Sequence, residues 1–169
     1  MVSQKKKIEV LDLNDKSQVI NNTMGFFILF NELTNRKKVF KKYGEFARFT
    51  NSELMDMNMS MGETFSDAFV LIKNPLLVEE MGYTEIYQYV LFSEKEIDAL
   101  LIKSDEEIKE FYENCPKGMK EILVKFVKIK IERGESVTDS RSKVEFFENL
   151  FSLKFADYWK ENLEILKRK

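Results

Sequence analysis

Ser140-Arg-Ser-Lys143 has the S-x-x-K spacing by which serine acyl enzymes bring a lysine beside a nucleophilic hydroxyl. The companion S-D-N and K-T-G motifs are missing and a chain of 169 residues is too small for that fold, so a helix cap followed by a surface lysine is the simpler reading. Glu79-Glu80 and Asp105-Glu106-Glu107 offer the oxygen donors that magnesium prefers. Adjacent residues on a strand point to opposite faces, however, and the second cluster opens a helix. The chain has no histidine, which removes Ser-His-Asp and Cys-His catalysis, histidine metal sites and the usual general base. Cys115 stands alone, so neither a thiolate zinc site nor an intrachain disulfide is possible; it reads as a packed residue ahead of Pro116, in keeping with a reducing cytoplasm. The glycines are scattered singly, without a phosphate-cradling loop. No cofactor and no metal is expected, and the chain reads as non-enzymatic.

Charge is the more informative property. The formal net charge of −2 hides a partition. Residues 1–50 carry ten Lys/Arg against five Asp/Glu, residues 51–115 carry four against fifteen, and residues 116–169 carry thirteen against nine. An acidic middle is thus bracketed by two basic thirds. Glu63, Asp67, Glu79, Glu80 and Glu85 are candidate protein-binding residues. Lys37, Lys38, Lys41 and Lys42, with Lys120, Lys125 and Lys128, are the alternative set, suited to nucleic-acid phosphates.

The elements that must position these residues can be read from pattern. Residues 8–13 suggest a short strand in which Ile8 and Val10 alternate. Asn14 or Asp15 then caps a predicted helix from Lys16, with Val19, Ile20, Met24, Phe27, Ile28 and Leu33 at helical spacing and Phe26, Leu29 and Phe30 widening its apolar face. Its basic exit, Arg36 to Lys42, interleaves Val39 and Phe40 ahead of Tyr43. That suits either a last turn complementing the helix dipole or nucleic-acid contact. Phe46–Thr50 alternates as a strand. Thr50, Asn51 or Ser52 caps a helix that turns at Asn58, and Ser60 or Thr64 caps the next, which ends at Asn74-Pro75. Leu76–Val78 and Glu85–Phe92 read as two strands joined at Gly82. The alternating Met55, Met57, Met59 and Met61 suit core filling or an adaptable binding surface.

Farther on, Ser93 with Glu96 caps a helix over Glu94–Leu101, and Ser104 caps an acidic one over Asp105–Glu113, broken at Cys115-Pro116. Lys117–Arg133 is an amphipathic helix with Gly134 as C-cap. A last helix starts near Ser140 and runs on toward the terminus. Its seam holds Phe147, Phe151, Phe155 and Trp159, suited to dimerisation or to packing on the first helix. Acidic and polar residues interrupt the stretch after Lys5–Lys7, so no secretory signal is expected. The longest apolar run near the start, Met24–Phe30, falls far short of the roughly 20 residues of a membrane span. A cytoplasmic protein with no membrane partner is expected.

Residues 46–92, read as helix, turn, helix and hairpin, resemble winged helix-turn-helix proteins. The resemblance implies Thr64–Lys73 as recognition helix and Met81–Thr84 as wing tip. Departures are a first helix and turn one residue short, Asn58 in place of the turn glycine, and an extra residue before Thr64. The expected fold is α+β and predominantly helical. It has a winged-helix-like core with a small β-hairpin over residues 1–104 and a helical extension over 105–169, or one compact domain overall.

The charge of the segment opposes the family's usual partner, since like charges across an interface cost several kcal/mol. The leading expectation is therefore a regulatory or inhibitory protein that binds another macromolecule, most of all a protein, through its acidic middle. The alternative is a winged-helix DNA-binding regulator that grips phosphates with its basic first and last thirds and dimerises through the last helix. The Lys- and Asn-rich, His-free composition fits a bacterial or phage source with an AT-rich genome.

Overall fold

The computed structural model describes residues 10–135 and 140–155, so Ile8 and the seam beyond Phe155, Trp159 included, lie outside the described residues. The chain is mixed α/β and mainly helical, with small antiparallel sheets. Strands β1 (Lys16–Asn21), β2 (Phe27–Asn31), β3 (Arg36–Phe40) and β4 (Phe46–Thr50) come first. Helix α1 (Asn51–Ser66), strand β5 (Val70–Ile72) and helices α2 (Pro75–Glu80) and α3 (Thr84–Tyr87) come next. Helices α4 (Glu94–Leu101), α5 (Asp105–Asn114), α6 (Lys117–Arg133) and α7 (Arg141–Phe151) complete the order.

The expected first helix is instead the start of a bent β-ribbon. β1 pairs with β4, with Val19 opposite Ala47, and β2 pairs with β3, with Ile28 opposite Val39. Between the two ladders the chain bends at Asn21-Asn22. The Asn21 amide donates to Glu45 O at 2.8 Å and its side-chain Nδ2 to Lys42 O at 2.9 Å. Asn22 Nδ2 donates to Ala68 O at 2.8 Å. An unbroken apolar run such as Phe26–Phe30 matches the helical and the strand period alike, and here the turn residues Asn31 to Asn35 decide in favour of a hairpin. Asn35 adopts φ 53, the left-handed conformation that asparagine tolerates.

β5 joins the other side of β1, giving a three-stranded sheet in the order β4-β1-β5. One face of this sheet and the inner face of the ribbon close over α1. Val19, Leu29, Phe40, Phe49, Leu54, Met57, Phe65 and Val70 form that core. On the opposite face Ile20 and Leu71 meet Ala68 and Val90. A second large core lies among α4, α5, α6 and α7, including Ile97, Ile108, Ile122, Val127 and Phe147. By packing, α4 belongs with this C-terminal layer, so the expected boundary at residue 104 runs through one core. Met24 and Tyr43 also pack against it, Tyr43 edge-on to Phe126 with centroids 5.1 Å apart.

Within residues 46–92 the observed order is strand, kinked helix, strand and two short helices. Phe46–Thr50 is a strand as expected, and Thr50 caps α1 in a capping box with Glu53. The break expected at Asn58 falls at Met61 (φ −140°), before Gly62. Of the expected recognition helix, Thr64–Ser66 ends α1 and Val70–Ile72 is strand β5. The two expected wing strands are not strands: Leu76–Val78 lies in α2, and Glu85–Tyr87 in α3. The proline acts in the opposite sense to that expected. It holds Asn74 extended (φ −91°, ψ 110°), which makes Asn74 an N-cap and Pro75 the first helical residue. Gly82, at φ +76°, is a turn as expected, but between two helices.

The C-terminal half obeys its local signals closely. α4, α5 and α6 begin and end within a residue of expectation, with Ser93 and Ser104 as caps and Gly134 left-handed at φ 64. Ser140 caps α7, but the helix stops at Ser152 (φ 54). Phe147 and Phe155 are buried in the chain's own core and Phe151 packs against it, its ring 5.0 Å from that of Tyr112. These three residues pack on the chain's own C-terminal helices rather than on the segment expected as a first helix.

Candidate interaction surfaces

A groove of about 460 Å³ opens between the free edge of β5 and helices α2 and α3. Ile72, Pro75, Val78, Tyr87 and Phe92 give it an apolar floor, with Lys73 and Glu79 also lining it. The walls arise from local chemistry. Asn74 Oδ1 accepts from the Leu76 amide at 3.0 Å, and its Nδ2 donates to Ser17 Oγ at 2.8 Å, so α2 starts against β1. Tyr87 reaches under the strand, and its hydroxyl accepts the Ile72 amide at 3.0 Å. Burial pushes the Tyr87 hydroxyl pKa well up, against the lowering pull of the Ile72 amide, so it is a fixed neutral phenol rather than an acid–base group.

Four of the five acidic candidates gather around this region. Glu79 and Glu80 are exposed in the last turn of α2, and Glu85 is exposed in α3. Tyr83, between these helices, donates its hydroxyl to Asn58 Oδ1 at 2.7 Å and lies 3.5 Å from Gly62 O. That contact draws the α1 segment bearing exposed Glu63 against the α2–α3 connection. Carboxylates at a helix C-terminus oppose the dipole, so Glu79 and Glu80 do nothing for the helix that carries them. Asp67 is placed differently: it caps the end of α1, and its carbonyl accepts the Gly118 amide at 2.7 Å at the junction with α6. A Cβ on Gly118 would lie 2.7 Å from the carbonyl oxygens of both Asp67 and Ala68, so this contact requires glycine.

The basic candidates divide between the ribbon and α6. Lys37, Lys41 and Lys42 are exposed on or beside β3, whereas Lys38 is tied to Glu45 at 2.6 Å. Lys120 donates to Glu113 O at 3.2 Å, 5.7 Å above the Tyr112 ring, and Lys125 and Lys128 are exposed. The contact of Tyr43 with Phe126 joins the bend of the ribbon to α6, so the two basic segments meet there.

The apolar residues on the exposed outer face of the ribbon are absent from the expected sites, although Lys37 and Lys41 beside them are among the expected phosphate-contacting residues. Phe26 is 77% exposed and Ile28 50%, although both read as core of a first helix. Every residue from Phe26 to Phe30 is apolar, so nothing in the sequence separated the outward Phe26 and Ile28 from the inward Phe27 and Leu29. The ribbon is anchored by Glu53, a nearly buried carboxylate. Glu53 accepts Arg36 at 2.8 Å, the Thr50 amide at 2.9 Å and the Thr34 hydroxyl at 3.3 Å. Among the described residues no three Asp, Glu or Cys side chains converge as a cation site, and no helix is long and apolar enough to cross a membrane. No protein-family model matches the chain, and neither a curated protein nor a solved structure was found to match it.

Proposed function

We propose that this is a non-enzymatic cytoplasmic regulatory or inhibitory protein that docks a basic, apolar-anchored segment of a partner protein. The segment lies in the groove beside β5. The observation that carries the reading is the apolar groove lined by Glu79, with Glu80 and Glu85 on the helices that wall it. Apolar anchors fill the floor and cations meet the carboxylates, so floor and charge select the same kind of ligand.

Titration calorimetry with a nine-residue alternating Lys/Leu peptide and its Glu/Leu counterpart tests this. The basic peptide binds and weakens with salt, and Glu79→Lys/Glu80→Lys lowers its affinity about tenfold. Glu110→Lys/Glu113→Lys makes the same net charge change on exposed α5 and leaves affinity nearly unchanged. Equal losses in the two variants would show a response to net charge alone and sink the reading.

One observation favours a second reading, DNA binding through the basic thirds. Lys37, Lys41, Lys42 and Arg48 are exposed cations of the ribbon, and among the described residues none of their side chains forms an ion pair within 4 Å, although Glu45 lies beside Lys41 and accepts its amide at 2.7 Å.

A further inference from the structure

The outer face of the β2–β3 ribbon alternates apolar and cationic side chains in register. On β2, Ile28 and Phe30 point outward, since Leu29 between them is wholly buried in the core. Opposite them on β3 stand Val39 and Lys37. Phe26 and Lys41 flank the ladder in the same phase and are exposed. The result is a two-column patch, Phe26-Ile28-Phe30 beside Lys41-Val39-Lys37. Among the described residues none of these apolar side chains joins a core: the ribbon's inner face already supplies Leu29 and Phe40, and Glu53 anchors its far end through Arg36.

We propose that this face is a binding platform for single-stranded nucleic acid, with Phe26 and Phe30 stacking on bases and Lys37 and Lys41 meeting phosphates. The inference rests on the second, phosphate-contacting reading and narrows its ligand. Phe26 is exposed and Phe30 half-buried, and such rings gain from base faces, which a single strand offers and a duplex keeps stacked inside. Lys37 and Lys41 are four residues apart, about 13 Å along an extended strand, so they track a backbone rather than grip one group.

Fluorescence anisotropy with a 15-nucleotide oligo-dT and a 15-base-pair duplex, each across a salt series, tests the platform on the full chain. The oligo-dT binds with salt-sensitive affinity, at least tenfold tighter than the duplex. Lys37→Ala/Lys41→Ala lowers the magnitude of the log–log salt slope by about 1.4, the loss of two single-strand phosphate contacts. Phe26→Ala, at an exposed position, weakens binding about tenfold and leaves the slope unchanged. Tighter binding of the duplex overturns the platform but keeps the phosphate-contacting reading. Absence of binding to either probe at low salt overturns both. Oligo-dT binding that Phe26→Ala leaves intact, or binding to vesicles of anionic lipid that oligo-dT fails to displace, overturns the platform alone.

Discussion

Glu53 shows how one residue ties local and long-range structure together. It closes the capping box of α1 and at the same time receives Arg36 from the ribbon, while its own carbonyl accepts Asn31 Nδ2 at 3.0 Å. Burial raises its pKa, but the Thr50 amide, the Arg36 guanidinium and the Thr50 and Thr34 hydroxyls outweigh it and hold the carboxyl below its usual range. A carboxyl whose folded pKa is depressed contributes stability above its unfolded pKa, near 4.5, and loses it as pH falls through the folded value. Glu53→Gln should therefore cost about 1–2 kcal/mol at pH 7, and less at pH 3. Urea midpoints of both proteins at the two pH values check this; a gap that does not shrink in acid rules it out. Cys115 is the contrasting case. It is 3% exposed, with its thiol pushed up to about 12 by burial, and its local context before a helix-breaking proline already marked it as a packed residue.

At the scale of elements, β5 is the most dependent piece. It has three residues and, among the described residues, pairs only with β1. Lys73 N donates to Gln18 O, and Asn22 N to Phe69 O, so the Ile72 amide points to the open edge. Tyr87 satisfies that amide and, by covering the edge, keeps β5 from templating another strand. Tyr87→Phe should destabilise the protein by about 1–2 kcal/mol and accelerate amide exchange at Ile72 more than at other sheet residues. Unchanged exchange at Ile72 would refute this role for the tyrosine. No local signal marks the pairing: Val70, Leu71 and Ile72 fit a buried helix stripe equally well, and Tyr87 lies fifteen residues away.

For the whole molecule, two large cores are built from different elements. α1 closes one beneath the ribbon, and α4 to α7 enclose the other. Phe147 is wholly buried in the second, its ring stacked at 5.6 Å on Phe151 and tilted at 5.2 Å to Phe146. Phe147→Ala should cost about 3–5 kcal/mol in urea unfolding and leave the mass in solution unchanged. A variant of native stability with an altered mass would return the residue to a dimer interface.

Sequence alone determined the features that short-range physics controls. Ser93, Ser104 and Ser140 begin helices because their side chains accept the first free amides, and Gly134 stops α6 because it adopts φ > 0 without penalty. It also determined the charge partition and the absence of histidine. Tertiary structure decided the first half. Phe26 to Phe30 is apolar at every step, so its period is undefined until β3 and α1 choose which side is buried. Asn74-Pro75 reads as a helix end or a helix start until Ser17 fixes Asn74. The groove and the ribbon's outer face exist only once these residues, distant in sequence, are paired across strands.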